Sequence, residues 1–489
     1  MTPYSVAIIK QARTSYAHQT PFHPPQVFPE TPIGGGIDST NETYTSIRKL
    51  FHLLKYDSSN FGKAKWNPLG WLIKPGETVF LKPNMLAESH YYNDDWEYVI
   101  THGSVIRAIV DYAFIALQGK GKIIVGDAPT SEAKFDEIVG RMGLKEIQSL
   151  FHEGKDFDIE IIDLRDEYWV EKERVVTQVV QLPGDPRGKA IVDLGGQSMF
   201  ADLDQSRKHY YGAFYDIDET NRHHSGGKHE YAISMSPLMA DVFISLPKIK
   251  THKKCGFTLN LKGLVGINAN KNWLPHYMFG SPETGGDQFR EGSARSALEN
   301  ALVRRAKQAL LRKTLVVQML ARKTKGLAYK VFGGTEEVVR SGNWHGNDTV
   351  WRMALDLNRI LLYANADGSM REAGAPKRYL SIVDGIIAME GNGPAAGTPK
   401  AIGCMLAGVN PVAVDAVCAR LVGFDYRKLP IVAQAFAPHS FSLIEAGMES
   451  IEPVSNNPAW NRPLAEWRLA DVFQFEPHFG WKGEVEAKD

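Results

Sequence analysis

The chain has 489 residues with 56 basic and 56 acidic side chains, so it offers no overall electrostatic signature for nucleic acid or for a strongly acidic partner. Its three cysteines, Cys255, Cys404 and Cys418, have no CxxC spacing, which leaves too few thiolates for a four-cysteine zinc site or an intrinsic iron–sulfur cluster and predicts no disulfide framework. No apolar run reaches the roughly 18 residues of a membrane span, and the apolar stretch near the start is too short for a signal-peptide core; the expectation is a soluble, cytoplasmic protein.

In chain order, residues 1–74 read as an N-terminal extension and 75–440 as a composite α/β core. Strand-like runs recur in the core, each ending at a polar residue: TVFL before Lys82, KIIVG before Asp127, IEII before Asp163, VFISL before a lysine cluster and LSIV before Asp384. Between the first two, Ile106, Ile109, Val110 and Ala113 recur at helical spacing and predict a helix over Gly103 to Leu117. Alternation of strand and helix predicts a mainly parallel sheet with flanking helices.

Two insertions interrupt this pattern. Alternating runs around the turn PGDPRG predict a β-hairpin excursion over about 166–232, and an aromatic-rich loop followed by helical periodicity predicts a second insertion over about 270–375. Within the latter, Ala301 to Gly333 holds nine lysines and arginines and no acidic residue, a pattern suited to a basic helix lying on lipid or protein, or covering the sheet. Further on, Asn410-Pro411 reads as an N-cap and first helical residue, with Gly423 past the far end. Residues 441–489, rich in aromatics and prolines, read as a wrap over the sheet.

The chemistry concentrates where strands end. Past Pro247, which closes the strand Val242 to Leu246, come Lys248, Lys250, His252, Lys253, Lys254 and Lys262 with no acidic residue among them, a cluster that should attract an anion at the carboxyl edge of a sheet. Lys82 and Asn84 offer a further cation and an amide for orienting a carboxylate or phosphate. Lys253 and Lys254 are expected in solvent. Asp127 at another strand end could bind metal, accept a proton or cap the next helix. In DGIIAMEGNGPAAGTP, Asp384 and Glu390 precede Gly391 and Gly393, whose backbones could approach an anion; the spacing matches neither phosphate-loop nor dinucleotide fingerprints. Asp127, Asp384 and Glu390 together could hold magnesium or manganese. His252, beside cations that favour a neutral ring, suits general-base work. Asp415, early in its helix, is accounted for by the helix dipole.

Several segments together resemble the domain of unknown function 362 family: FLKPNM at 80–85, HGSVIRA at 102–108, VGDAP at 125–129, LPKIKTHKKCGFTLNLKGLVG at 246–266, DGIIAMEGNGPAAGTP at 384–399 and LAGVNPVAVDAVCARLVGF at 406–424. The resemblance implies a shared fold and names no reaction. Some members carry an appended ferredoxin-like domain with clustered cysteines, which this chain departs from. The resulting expectation is an enzyme acting on a small anionic substrate, a carboxylate or phosphate. In it Lys82, Asn84, Lys250, Lys262, Gly391 and Gly393 bind the anion, His252, Asp384 and Glu390 serve catalysis, and Asp127, Asp384 and Glu390 are available to a divalent metal. The alternatives are a non-catalytic anion-binding or redox-partner protein and a membrane-surface biosynthetic component.

Overall fold

A computed structural model describes residues 2–34, 36–172, 175–203, 210–212, 216–292, 338–371 and 374–488. The basic segment Ala301–Gly333 lies outside them. In chain order the strands are β1 (Ser5–Lys10), β2 (Thr78–Pro83), β3 (Lys122–Asp127), β4 (Ile159–Asp163), β5 (Glu167–Lys172), β6 (Val175–Gln181), β7 (Lys189–Asp193), β8 (Tyr210–Gly212), β9 (Glu230–Ser234), β10 (Val242–Leu246), β11 (Lys248–His252), β12 (Gly256–Thr258), β13 (Pro275–Met278), β14 (Arg378–Glu390), β15 (Thr398–Gly408) and β16 (Glu452–Ser455).

The central sheet has the order β16-β1-β15-β14-β10-β2-β3-β4, with β11 and β12 attached beside β14. Strands β14, β10, β2, β3 and β4 run parallel, and β15 is antiparallel to both its neighbours. The fold is α/β. Parallel strands are covered on both faces, which is why their sequences read as unbroken apolar runs. Val79, Leu81, Val242 and Ile244 face one core, shared with the helices Glu42–Leu53 and Gly103–Leu117. Phe80, Phe243 and Tyr379 face the other, where successive rings stack at 5.7 Å across three strands, alongside the helices Val350–Tyr363 and Pro411–Leu421.

The helix expected over 103–117 is present, N-capped by His102, and Asn410 caps the helix Pro411–Leu421 through Ala413 N–H at 3.0 Å. The hairpin excursion contains the antiparallel pairs β5·β6 and β7·β9. Three details differ from expectation. The stretch set apart as an N-terminal extension supplies β1, which lies between β15 and β16. A strand so short and apolar becomes central only through partners some 400 residues away, which local patterning cannot register. Asp384 is not at a strand end; β14 runs on through it to Glu390. The third concerns the lysine cluster, of which Lys253 and Lys254 are expected in solvent. Pro247, lacking an N–H, ends the ladder to β2, but the chain continues along β14 as β11, every residue of which is buried. Lys253 and Lys254, in the turn that follows, are half-buried rather than exposed.

Candidate functional site

At the carboxyl ends of β2 and β3, Lys82 Nζ lies 2.9 Å from Asp127 Oδ1, with both side chains almost wholly buried. Asp127 also accepts from Met85 N–H at 2.8 Å and from its own neighbour Ala128 N–H at 2.9 Å. Gly266 presses on this pair: a Cβ there would stand 1.7 Å from Asp127 Oδ1 and 2.9 Å from Lys82 Cε. Lys250 Nζ, carried past the edge by β11, donates to Asn84 Oδ1 at 2.6 Å and Val99 O at 2.7 Å. Burial holds the Lys250 ammonium well below its usual range, and Lys248, Lys82 and Lys262 push the same way.

Lys262 belongs to the short helix Asn260–Gly263, and Asp415 holds that helix in place by accepting from Asn260 N–H, Asn260 Nδ2 and Leu261 N–H at 3.1, 2.8 and 3.0 Å. Asp415 is therefore an anchor reaching across to another element, not a bystander on its own helix, and burial pushes its carboxyl up to about 7. Among the described residues, Lys262 Nζ has no hydrogen-bond partner; burial lowers its pKa, and Lys82 adds to the effect. Lys271, which the sequence reading passed over, comes to the same place. Its Nζ donates to Val265 O at 2.9 Å, and burial, with Lys82, Lys262 and Arg165 nearby and Asp127 opposing, brings it down to about 7. The sequence signal for it was a lysine in an aromatic-rich segment, KNWLPHYMF, with little solvent-compatible company.

His252 is buried at the end of β11, and burial together with Lys262, Lys253 and His276 keeps its ring neutral. His276 on β13, also absent from the sequence-level assignment, is kept neutral by burial, Lys262 and Lys254. Cys255 is no reactive thiol: burial outweighs Lys262 and pushes it up to about 12, and its Sγ donates to Phe257 O.

Asp384 forms a separate, adjacent cluster. It lies 2.8 Å from Lys248 Nζ with both side chains fully buried, and accepts from Tyr16 Oη and from His102 N–H at 2.9 Å. Lys248 also donates to Tyr16 Oη at 2.6 Å. The His102 ring is sandwiched between Tyr16 at 4.0 Å and Trp96 at 5.2 Å. Lys248 lowers the Lys250 pKa, so the two clusters sense each other's charge.

Glu390 stands apart, six residues along β14 from Asp384 and so about 20 Å away; it pairs with Lys400 at 2.6 Å and accepts from Glu476 N–H at 2.9 Å. The glycines after it form no anion nest: Gly391 N–H donates to Glu476 O, and Gly393 N–H to Gly391 O. Gly393 instead permits close packing, since a Cβ there would meet Thr251 O at 2.0 Å. The structure thus brings together Lys82, Asn84, Asp127, Lys250, Lys262 and His252 and sets Asp384 beside them; Gly391 and Gly393 pack on the backbone of β11 and its turn with their N–H groups already used, and the Glu390 carboxylate is spent on Lys400 and Glu476 N–H. The three carboxylates considered for a metal each have their own lysine and do not converge, and among the described residues no group of three or more His, Cys, Asp and Glu side chains is placed to hold a metal ion.

This edge lies within the segments matched by a family model, residues 79–185 and 202–420, which together exceed half the chain. The chain belongs to the domain of unknown function 362 family. The break in the match, 186–201, falls inside the hairpin excursion. Among curated proteins, the chain is similar to a thylakoid-associated protein of Synechocystis, at 22% identity over 406 residues, covering 83% of this chain and 79% of that protein. No helix among the described residues is long and apolar enough to cross a membrane.

Proposed function

We propose that this member of the family binds a small anion, a carboxylate or phosphate, among Lys250, Lys262 and Lys271, and acts on it as an enzyme. One observation carries the reading: three buried lysines, Lys250, Lys262 and Lys271, are grouped close to the Lys82–Asp127 pair, and among the described residues the Lys262 ammonium has no hydrogen-bond partner. Buried like charges raise the free energy of the empty protein, and an anion offsets that cost.

Thermal unfolding with sulfate, at matched ionic strength, tests this. Sulfate at 100 times its Kd should stabilise the wild type by about 2.7 kcal/mol. Lys262→Met should leave the empty protein at least as stable, because no hydrogen bond is lost, and should remove most of the sulfate gain. The response should also depend on pH with a definite sign. Lys271 has a folded pKa of about 7 against 10.5 for the free side chain, so between these values the unfolded chain binds the extra proton. The stability of the empty protein therefore declines as pH falls from about 10.5 to about 7. Sulfate favours the protonated lysine, so its binding should strengthen as pH falls through about 7. An equal sulfate response in wild type and Lys262→Met would sink the assignment.

The thylakoid association of the Synechocystis relative, together with the nine basic residues and no acidic residue between Ala301 and Gly333, supports contact with an anionic membrane surface as a second feature. Co-sedimentation with anionic vesicles, lost on deletion of 301–333 and absent with neutral vesicles, is the expected result; sedimentation unaffected by the deletion would dismiss it.

A further inference from the structure

Resting on the anion site just proposed, we propose that His252 and His276 complete it as a fixed donor and acceptor pair, and that its ligand is an anion with a hydroxyl beside the charged group, of the 2-hydroxy acid type. His252 Nδ1 accepts from Lys254 N–H at 3.0 Å, so in the neutral ring the hydrogen resides on Nε2. His276 has the opposite arrangement. Its Nδ1 lies 2.8 Å from Leu274 O, and a carbonyl only accepts, so Nδ1 carries the hydrogen and Nε2 presents a bare lone pair.

Neither Nε2 has a hydrogen-bond partner among the described residues. Lys254, in the turn after β11, lies 4.4 Å from the centre of the Tyr277 ring, which seats the strand bearing His276 against the hairpin bearing His252. Lys262 is the foremost charged neighbour of both rings, and each is kept neutral chiefly by burial. An ammonium, an N–H donor and an N acceptor are therefore near neighbours. A carboxylate satisfies the first two. A hydroxyl next to it can donate to His276 Nε2, whereas a bare carboxylate leaves that lone pair facing no donor. This reverses the role expected for His252, whose available nitrogen donates; the basic nitrogen belongs to His276.

Two probes of similar size, glycolate and acetate, test the pair by thermal shift at matched ionic strength. Glycolate is expected to bind about tenfold more tightly, the worth of one desolvated hydrogen bond. His276→Phe should erase this preference while the sulfate response persists. Loss of the sulfate response in wild type would defeat the anion site itself; sulfate binding with equal glycolate and acetate affinities would defeat only the histidine pair. Should His276→Phe not fold, ring-nitrogen NMR of the wild type decides: Nε2–H at His252 and Nδ1–H at His276 are expected, and the same tautomer at both would overturn the proposal.

Discussion

Gly266→Ala is expected to lower stability by more than about 3 kcal/mol and to abolish the sulfate response. The glycine has an ordinary backbone conformation, so the cost is entirely one of space: the new methyl would occupy a position 1.7 Å from Asp127 Oδ1 and 2.9 Å from Lys82 Cε. It can be accommodated only by parting the Lys82–Asp127 pair, and separating a buried ion pair costs about 3–5 kcal/mol. The backbone of Gly266 also accepts from Ala128 N–H at 2.8 Å, so the loop cannot simply lift away without another loss. Gly263→Ala, three residues earlier and with open space at its Cβ position, is the control and should be close to neutral. Urea unfolding of both variants measures the difference. A wild-type midpoint for Gly266→Ala would mean that the pair is not held as described.

The second large effect concerns Asp384. Lys248→Met should cost about 3–5 kcal/mol, because it leaves a fully buried carboxylate with hydrogen-bond donors but no cation. Combining it with Asp384→Leu should recover most of the loss, since an apolar pair of similar volume carries no desolvation penalty. Tyr16 loses partners in either background, so recovery will be incomplete. The comparison distinguishes a structural ion pair from a functional one. If the double variant is stable and still binds sulfate, Asp384 supports the sheet edge and takes no part in binding; if it is stable but no longer responds, the cluster is continuous with the anion site. A single variant as stable as wild type would contradict the pairing itself.

The lysine-bearing strand-end segments were legible because a parallel sheet, buried on both faces, writes each strand as a continuous apolar run with an abrupt polar end. Lys82, Asp127 and Lys250 could be grouped on that basis alone. Asp384 could also be found, but not its partner: Lys248 stood in the lysine cluster without a role, and Tyr16, 368 residues away from Asp384, had no local mark at all. Glu390 and its glycines looked equivalent to the other strand-end motifs, yet β14, still paired with β15, runs on to Glu390 and brings that carboxylate to Lys400 and the C-terminal segment around Glu476.

The sequence by itself determined the α/β class, the family, the helix starts at His102 and Asn410, and the presence of a cationic cluster next to an apolar strand. These are local matters, set by side-chain period, capping chemistry and the inability of Pro247 to donate. Only the tertiary structure decided which charges are paired and which are left over. Whether a lysine is neutralised depends on distances between strands ordered β14-β10-β2-β3, and on the loop that delivers Lys271 and His276 to their ends. Local sequence specifies each strand and its charges, but the electrostatic balance of the site is a sum over elements that meet only when the sheet is assembled.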